Sequence, residues 1–373
     1  MEEITKILKK LMSFKTIDGR SLEFDKLFEY IKSILPNNLY QTMYEFNNKK
    51  SLVISNSESK NLDLIICTHI DVVYGDDETM KYKEDETNIY GRGAIDMKGQ
   101  VAVILSLIKN NTFNTKYAVF ITSDEEIDGN CCRELMKIYN SKLAIVPDGG
   151  NNFELIEEEK GLIQLKLTAN TISAHASTPF DGENAILKLL NVYNKLIKKY
   201  PLPVSEEDYK TSINLSKING GDSINKVPDN ATMYLDIRYT SDVTLEGILN
   251  LINKIDSNID VSVVTEGILF KTDINNKLIK KYIQTCEEVL NRKIVIKKVT
   301  STSDGIYFSE KNIPTIIMNP SGGNAHSQNE YVNIDSLKKL YEIYEKFMKK
   351  EEIIWFFRKL FDINTSKIVN IVV

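Results

Sequence analysis

The sequence predicts an α/β protein in which a sheet carries helices on both faces, with a smaller α+β domain inserted into the larger one. Three observations lead there. Buried-strand runs alternate with helical repeats over the first 150 residues and return after residue 270. Between about 160 and 270 the order becomes strand–helix–strand–strand–helix–strand, a ferredoxin-like arrangement. The chain has 373 residues, more than the roughly 150 of a single domain.

Residues 2–13 and 22–35 place apolar side chains at helical spacing. Residues 62–67 (Leu-Asp-Leu-Ile-Ile-Cys) read as a buried strand, 97–110 as a helix and 117–122 as the next strand. A helix over 131–139 and a short strand over 143–146 follow. After Asp148-Gly149-Gly150 the texture changes: 162–170 alternates apolar and polar residues, as a half-exposed strand does. A helix over about 184–199 stops before Pro201 and Pro203. Strands at 212–218 and 232–239, a helix near 243–255 and a strand at 261–265 complete the insertion. Helix returns over 275–290, then strands at 294–296 and 315–318, then a long polar-faced helix at 335–349. The expected division is 1–159 with 271–350 as the larger, discontinuous domain, 160–270 as the insertion, and 351–373 as an extension of unassigned role. That extension holds the only tryptophan, in Ile353-Ile354-Trp355-Phe356-Phe357, followed by Arg358 and Lys359. A terminal helix packed on the core is expected there, with a partner or membrane-surface contact as the alternative.

Hydrophobic residues make up 42% of the chain and charged residues 27%, the balance of a soluble globular protein. The net charge of −5 leaves no electrostatic footprint for nucleic acid. No apolar run approaches the length of a membrane span, and the lysine-rich start has no signal-peptide core, so a cytoplasmic location is expected. The four cysteines (Cys67, Cys131, Cys132, Cys286) form no C-x-x-C pair, which argues against a disulfide framework or a thiolate zinc site.

Only three histidines occur, His69, His175 and His326, each in polar, turn-rich sequence. Thr68-His69-Ile70-Asp71 follows the first buried strand, where an imidazole can bind a metal and the carboxylate can orient it. Alone, a strand-end histidine is more often a surface residue. Gly91-Arg92-Gly93-Ala94-Ile95-Asp96-Met97-Lys98-Gly99 sets an aspartate at a helix start, where a plain cap is the simpler reading, but capping does not explain the flanking glycines. Ser123-Asp124-Glu125-Glu126 closes another strand with three consecutive carboxylates. These are either a solvated acidic turn or a metal ligand beside a proton acceptor. Asp148 and His326 end two further strand-and-turn segments. In an open α/β sheet, ligands bind beyond the carboxyl ends of the strands. Two histidines and several carboxylates with no thiolate fit a di-metal hydrolytic site, zinc first, with cobalt or manganese as substitutes.

Taken together, H-x-D, G-R-G-x-x-D-M-K-G, D-E-E and the late A-H-x-x-x-E resemble, in order and spacing, the di-zinc aminoacylase, acetylornithine deacetylase, succinyl-diaminopimelate desuccinylase and carboxypeptidase G superfamily of metallohydrolases. The resemblance covers about 1–350. It implies a zinc-peptidase-type catalytic domain, a mixed sheet flanked by helices, and makes the inserted domain a lid or dimerisation domain. It implies that Asp96 bridges two metals, that His69 and Asp148 complete one shell, and that Glu126 and His326 complete the other. Glu125 is implied as the general base on a metal-bridging water, Asp71 as the group orienting His69, and Glu330 as support for the His326 loop. The peptide after Asp96 is often cis in the family.

His175, by itself a loop histidine, matches one that in dimeric relatives reaches the partner's active site and stabilises the oxyanion. Asn225 and Arg238 match substrate contacts, the arginine suited to a substrate carboxylate. Ser303, Asn319 and Gly322, with Gly323, are candidates for the pocket wall. The implied activity is hydrolysis of an amide bond in an N-acyl amino acid by a homodimer. Asp148 stands where deacylases usually carry glutamate, and its Asp-Gly-Gly run is similar to the tripeptidase branch, so a di- or tripeptidase or carboxypeptidase is the alternative. A non-catalytic metal-binding module is a remote one, against which the intact Glu125 speaks. A serine hydrolase needs a G-x-S-x-G elbow, and none occurs.

Overall fold

Long apolar runs set the centre of the fold, and the turns between them carry the polar residues. The computed structural model describes residues 1–205 and 207–349; the extension 351–373, read above as a terminal helix or contact surface, lies outside the described residues. The chain opens with helices α1 (Glu2–Met12) and α2 (Ser21–Ile34), followed by strands β1 (Tyr40–Phe46), β2 (Lys49–Ser55), β3 (Asn61–His69), β4 (Lys83–Glu84) and β5 (Asn88–Tyr90). Next come α3 (Gly99–Asn110), β6 (Tyr117–Thr122), α4 (Asn130–Ile138), β7 (Asn140–Val146), β8 (Leu155–Glu159) and β9 (Gly161–Asn170). They lead to α5 (Ala185–Lys199), β10 (Ser212–Gly220), β11 (Asn230–Tyr239), α6 (Leu245–Ile255), β12 (Ile259–Glu266) and β13 (Phe270–Lys271). The chain then runs through α7 (Lys277–Leu290), β14 (Ile296–Val299), α8 (Gly305–Glu310), β15 (Thr315–Ile317), β16 (Gly322–Gly323), β17 (Tyr331–Asn333) and α9 (Ile334–Lys349).

Two compact units result: one of Met1–Glu157, Thr272–Lys297 and the residues from Ser303 on, the other of Glu158–Lys271 with Lys298–Thr302. The sequence reading had placed 298–302 with the larger part. They group with the smaller one, where Lys298 Nζ lies 3.5 Å from the buried Glu158 carboxylate and Thr302 donates to the Lys160 carbonyl at 3.4 Å.

In the first unit the sheet runs β1-β2-β6-β3-β7-β15-β8. Strands β6, β3, β7 and β15 run parallel to one another, while β1 pairs antiparallel with β2, β2 with β6, and β8 with β15. Every residue of β6 is buried, as expected for a parallel strand covered on both faces. Helix α3 contacts α1 and α9, and α9 contacts α7, and together they cover one face over a core that includes Leu64, Ile66, Val119 and Ile121. Helix α4 packs against β1, β2 and β6 and against α8. A second, small sheet of order β16-β17-β5-β4 pairs Tyr331 with Tyr90 and Val332 with Ile89. The segment 91–98 and the turn 324–330 therefore both leave this small sheet.

The second unit is an antiparallel sheet of order β10-β11-β9-β12 carrying α5 and α6 over one core. Strand β9 alternates buried and half-buried residues along its length. Both helices start on a side-chain cap: Asn184 accepts from the Leu187 amide and Thr244 from the Gly247 amide. Among the described residues, no helix is long and apolar enough to cross a membrane.

Candidate metal centre

His69 is the last residue of β3 and Thr122 the last of β6, and the two face each other in the parallel ladder. This register delivers His69 and the acidic turn after β6 to the same end of the sheet. The neighbouring β7 brings Asp148 to that end two residues past its last strand residue. Asp96 arrives by a different route. Gly91 and Gly93 both have positive φ, and a Cβ on Gly91 would come within 2.6 Å of the Lys81 carbonyl oxygen, so the tight path into α3 needs glycine there. The Asp96–Met97 peptide is cis. His326 sits in the turn 324–329 with φ 61°, in the left-handed region, flanked by Asn324 and Asn329 in the same region. The small sheet holds both ends of that turn.

Two clusters result, and Asp96 belongs to both. His69 Nε2 lies 3.1 Å from Asp96 Oδ1 and 3.8 Å from Asp148 Oδ2. His326 Nε2 lies 2.9 Å from Asp96 Oδ2 and 3.0 Å from Glu126 Oε2. In each triad the ligand atoms lie within 4.8 Å of one another. Glu125 Oε2 is 4.0 Å from His69 Nε2. On the far side of the ring, His69 Nδ1 lies 3.1 Å from the Asp71 carbonyl oxygen and 3.4 Å from Asp71 Oδ1. Asp71 Oδ2 accepts from the Glu126 amide at 2.9 Å, so Asp71 touches residues of both triads, His69 through its carbonyl and Glu126 through its carboxylate.

The charges here oppose one another. Burial and the charge of Asp148 push the Glu125 carboxyl well above its usual range. Burial and the neighbouring Asp96 push Asp148 up to about 7. Burial works against the Asp96 carboxylate too, but hydrogen bonds to His326 and His69 outweigh it and hold its pKa below the usual range. Burial likewise disfavours charge on His69, yet Asp71 and Asp96 raise it well above its ordinary value, and Asp96 and Glu126 raise His326 to about 10. So dense a set of carboxylates, each crowded by its neighbours, calls for cations. Imidazole and carboxylate donors without thiolate suit zinc, cobalt or manganese.

Gln100 was not singled out in the sequence, and Glu330, expected to support the His326 turn, reaches further than that. Glu330, with zero exposure, accepts from Arg92 Nη1 at 2.8 Å and from the amides of Ile95 and Asp96 at 3.1 and 3.2 Å. It thus fixes the Asp96 segment as well as the His326 turn. Arg92 stood within the glycine motif, but no local pattern marks its distant partner. Gln100 Nε2 donates to the carbonyls of Ile95 and Pro147 and to Asn319 Oδ1 at 2.6, 3.2 and 2.9 Å, tying the Asp96 and Asp148 segments together. Asn319 is therefore engaged with Gln100, the Gly322 amide donates to Asn151 Oδ1 at 3.1 Å, and the buried Ser303 hydroxyl accepts from the Gly305 amide at 3.3 Å. In the second unit, His175 bridges to Lys226 and the Ala176 amide donates to the Asn225 carbonyl, so the segments carrying His175 and Asn225 lie side by side. The His175 ring lies 2.7 Å from the Ser177 hydroxyl. Arg238 is exposed on β11, with Nε donating to Asp236 at 2.9 Å.

A profile of the peptidase family M20/M25/M40 matches residues 65–350. The chain belongs to that family. M20 proteins are metal-dependent hydrolases of amide bonds, in keeping with the donors gathered here. This M20 chain is similar to a LysW-lysine/LysW-ornithine hydrolase of Sulfurisphaera tokodaii, at 29% identity over 346 residues that span 90% of this chain and 92% of the relative. It is similar to a succinyl-diaminopimelate desuccinylase of Rickettsia bellii at 28% identity over 382 residues, spanning 92% and 95%. A solved tripeptidase from Staphylococcus aureus shares the M20 fold with a TM-score of 0.71 at 20% identity, covering 93% of this chain and 97% of that one.

Proposed function

We propose that this chain cleaves the amide bond of an N-acyl amino acid, as a deacetylase or desuccinylase does. The observation that carries the reading is the pair of triads joined at Asp96 with Glu125 beside them. His69, Asp96 and Asp148 would hold one divalent ion, and Asp96, Glu126 and His326 a second, zinc being the first choice and cobalt or manganese substitutes. Such ions polarise a carbonyl and acidify water. Glu125, placed beside the first triad, accepts the proton of the attacking water and returns it to the leaving amine. Asp71 sets the tautomer of His69 through the Nδ1 contact, leaving Nε2 as the ligand.

Desuccinylase and LysW-amino-acid hydrolase relatives favour the deacylase reading. The Asp148-Gly149-Gly150 turn and the tripeptidase likeness keep a di- or tripeptidase, or a carboxypeptidase, as the second reading. The test is amine release from a panel of N-acetyl, N-succinyl and N-formyl amino acids beside di- and tripeptides, with added zinc or cobalt and a chelator control. Chelator-sensitive cleavage of acyl amino acids is expected; cleavage of peptides alone overturns the deacylase reading. Glu125→Gln should keep its metals and lose about 10²–10⁴-fold in turnover. Near-normal turnover would remove Glu125 from the role of base.

The inserted unit is read as a lid and dimerisation domain, with the chain a homodimer in the cytoplasm, where four free cysteines stay reduced. Asn225 and Arg238 would bind the substrate, Ser303, Asn319 and Gly322 would line its pocket, and His175 would act on the partner's substrate. Freshly exchanged mixtures of Glu125→Ala and His175→Ala subunits should then regain activity, because one site of each mixed dimer is complete. Mixed dimers that stay inactive would show that His175 does not act across the dimer.

A further inference from the structure

Two residues before His69, Cys67 meets Cys132 and Asp304 inside the first unit. They come from three elements: β3, two residues before its end, the first turn of α4, and the residue before α8. All three side chains are buried. The Cys67 and Cys132 sulfurs are 3.6 Å apart, and Cys67 Sγ is 3.8 Å from Asp304 Oδ2. The three ligand atoms lie within 4.8 Å of one another, and the Asp304 carbonyl oxygen is 4.0 Å from Cys132 Sγ.

The sulfur–sulfur separation is slightly shorter, and the Cys67–Asp304 separation slightly longer, than a tetrahedral ion imposes. With metal–sulfur bonds of about 2.3 Å and metal–oxygen bonds of about 2.0 Å, two sulfur ligands stand about 3.8 Å apart and a sulfur and an oxygen about 3.5 Å apart. Two sulfhydryls are also poor company for a buried carboxylate. They are weak hydrogen-bond donors, so they offset little of the cost of removing Asp304 from water. Glycine at 129 keeps the space open, since a Cβ there would come within 2.8 Å of Asp304 Oδ1.

Against the expectation from cysteine spacing, we propose that Cys67, Cys132 and Asp304, brought together from distant segments, form a further cation site with ligands distinct from those of the His and carboxylate centre, for a thiophilic divalent ion such as zinc, cobalt or cadmium. On binding, two thiol protons leave to solvent and the ion is held by two thiolates and the carboxylate. The site is closed to substrate, so its work is to fasten β3 to α4 and α8 beneath the catalytic end of the sheet. It stands independently of the amide-hydrolysis reading, which concerns other ligands.

The ion is supplied as the chain folds, because the site is buried. The protein is produced in zinc-depleted, cobalt-supplemented medium and purified with a non-thiol reductant, and its near-ultraviolet absorption and cobalt content are measured. Thiolate-to-cobalt charge-transfer absorption is expected. Cys132→Ser and Cys67→Ser should each lose that absorption and one equivalent of cobalt while keeping the visible bands of cobalt bound by nitrogen and oxygen. A folded wild-type chain with no charge-transfer absorption overturns the proposal. So does a mass deficit of two hydrogens at these cysteines, which would mean a disulfide instead. The wild-type spectrum decides the matter even where a serine variant fails to fold.

Discussion

Glu330 shows how much one side chain outside the ligand set can carry. It neutralises Arg92, caps the amides of Ile95 and Asp96, and sits at the end of the turn that presents His326. Arg92 and Glu330 are both buried, so removing one charge strands the other away from water. Glu330→Gln should cost about 3–5 kcal/mol of stability, as one-sided removal of a buried ion pair does. Urea unfolding reads this as a lower midpoint, and Arg92→Met placed on top should recover part of the loss. A Glu330→Gln chain that unfolds at the wild-type midpoint would show that the pair is not felt. At this scale the ligand types were legible in the sequence, because each ends a strand or opens a helix within a short motif. Gln100 and the Arg92–Glu330 pair were not, since their partners lie far along the chain. The burial of His69 was likewise hidden by its polar sequence neighbours, and follows from β3 lying between β6 and β7.

Elements, too, were legible where their pattern is local. Helices α1, α3, α5, α6, α7 and α9 and strands β3, β6, β9 and β11 fall within a few residues of their expected spans. The β1–β2 hairpin went unread because β1 buries none of its residues fully and so shows no apolar stripe. Its one signal was the turn Asn47-Asn48, where both residues have positive φ, as two-residue hairpin turns require. The two- and three-residue strands of the small sheet carry no period at all, and its central pairing, β17 with β5, joins chain segments more than two hundred residues apart. The junction between the Asp96 segment and α3 is a further point of close fit. A Cβ on Gly99 would stand 2.4 Å from the Ala94 carbonyl oxygen, a backbone atom with little room to yield. Gly99→Ala should therefore cost about 1–3 kcal/mol and weaken metal retention, because Asp96 lies within the displaced segment. Equilibrium dialysis against zinc, run beside urea unfolding, checks both, and wild-type behaviour in each would mean that the segment adjusts freely.

At the scale of the molecule, the two units have separate cores, and the five proposed ligands His69, Asp96, Glu126, Asp148 and His326 all belong to the first. An ion that binds only the folded state stabilises whatever must be folded to present its ligands, by about 4 kcal/mol when its concentration is a thousandfold above the dissociation constant. That gain should fall on one unit. Hydrogen exchange with and without chelator reads it element by element. Chelation should speed exchange in β3, β6 and β7, whose ends carry the ligands, and leave β9, β10 and β11 at their original rates. Re-added zinc should restore protection in the first set alone. If chelation instead lowered protection equally in both sets, the two cores would be unfolding as one cooperative body, and the stability supplied by the metals would belong to the whole chain rather than to the unit that holds them.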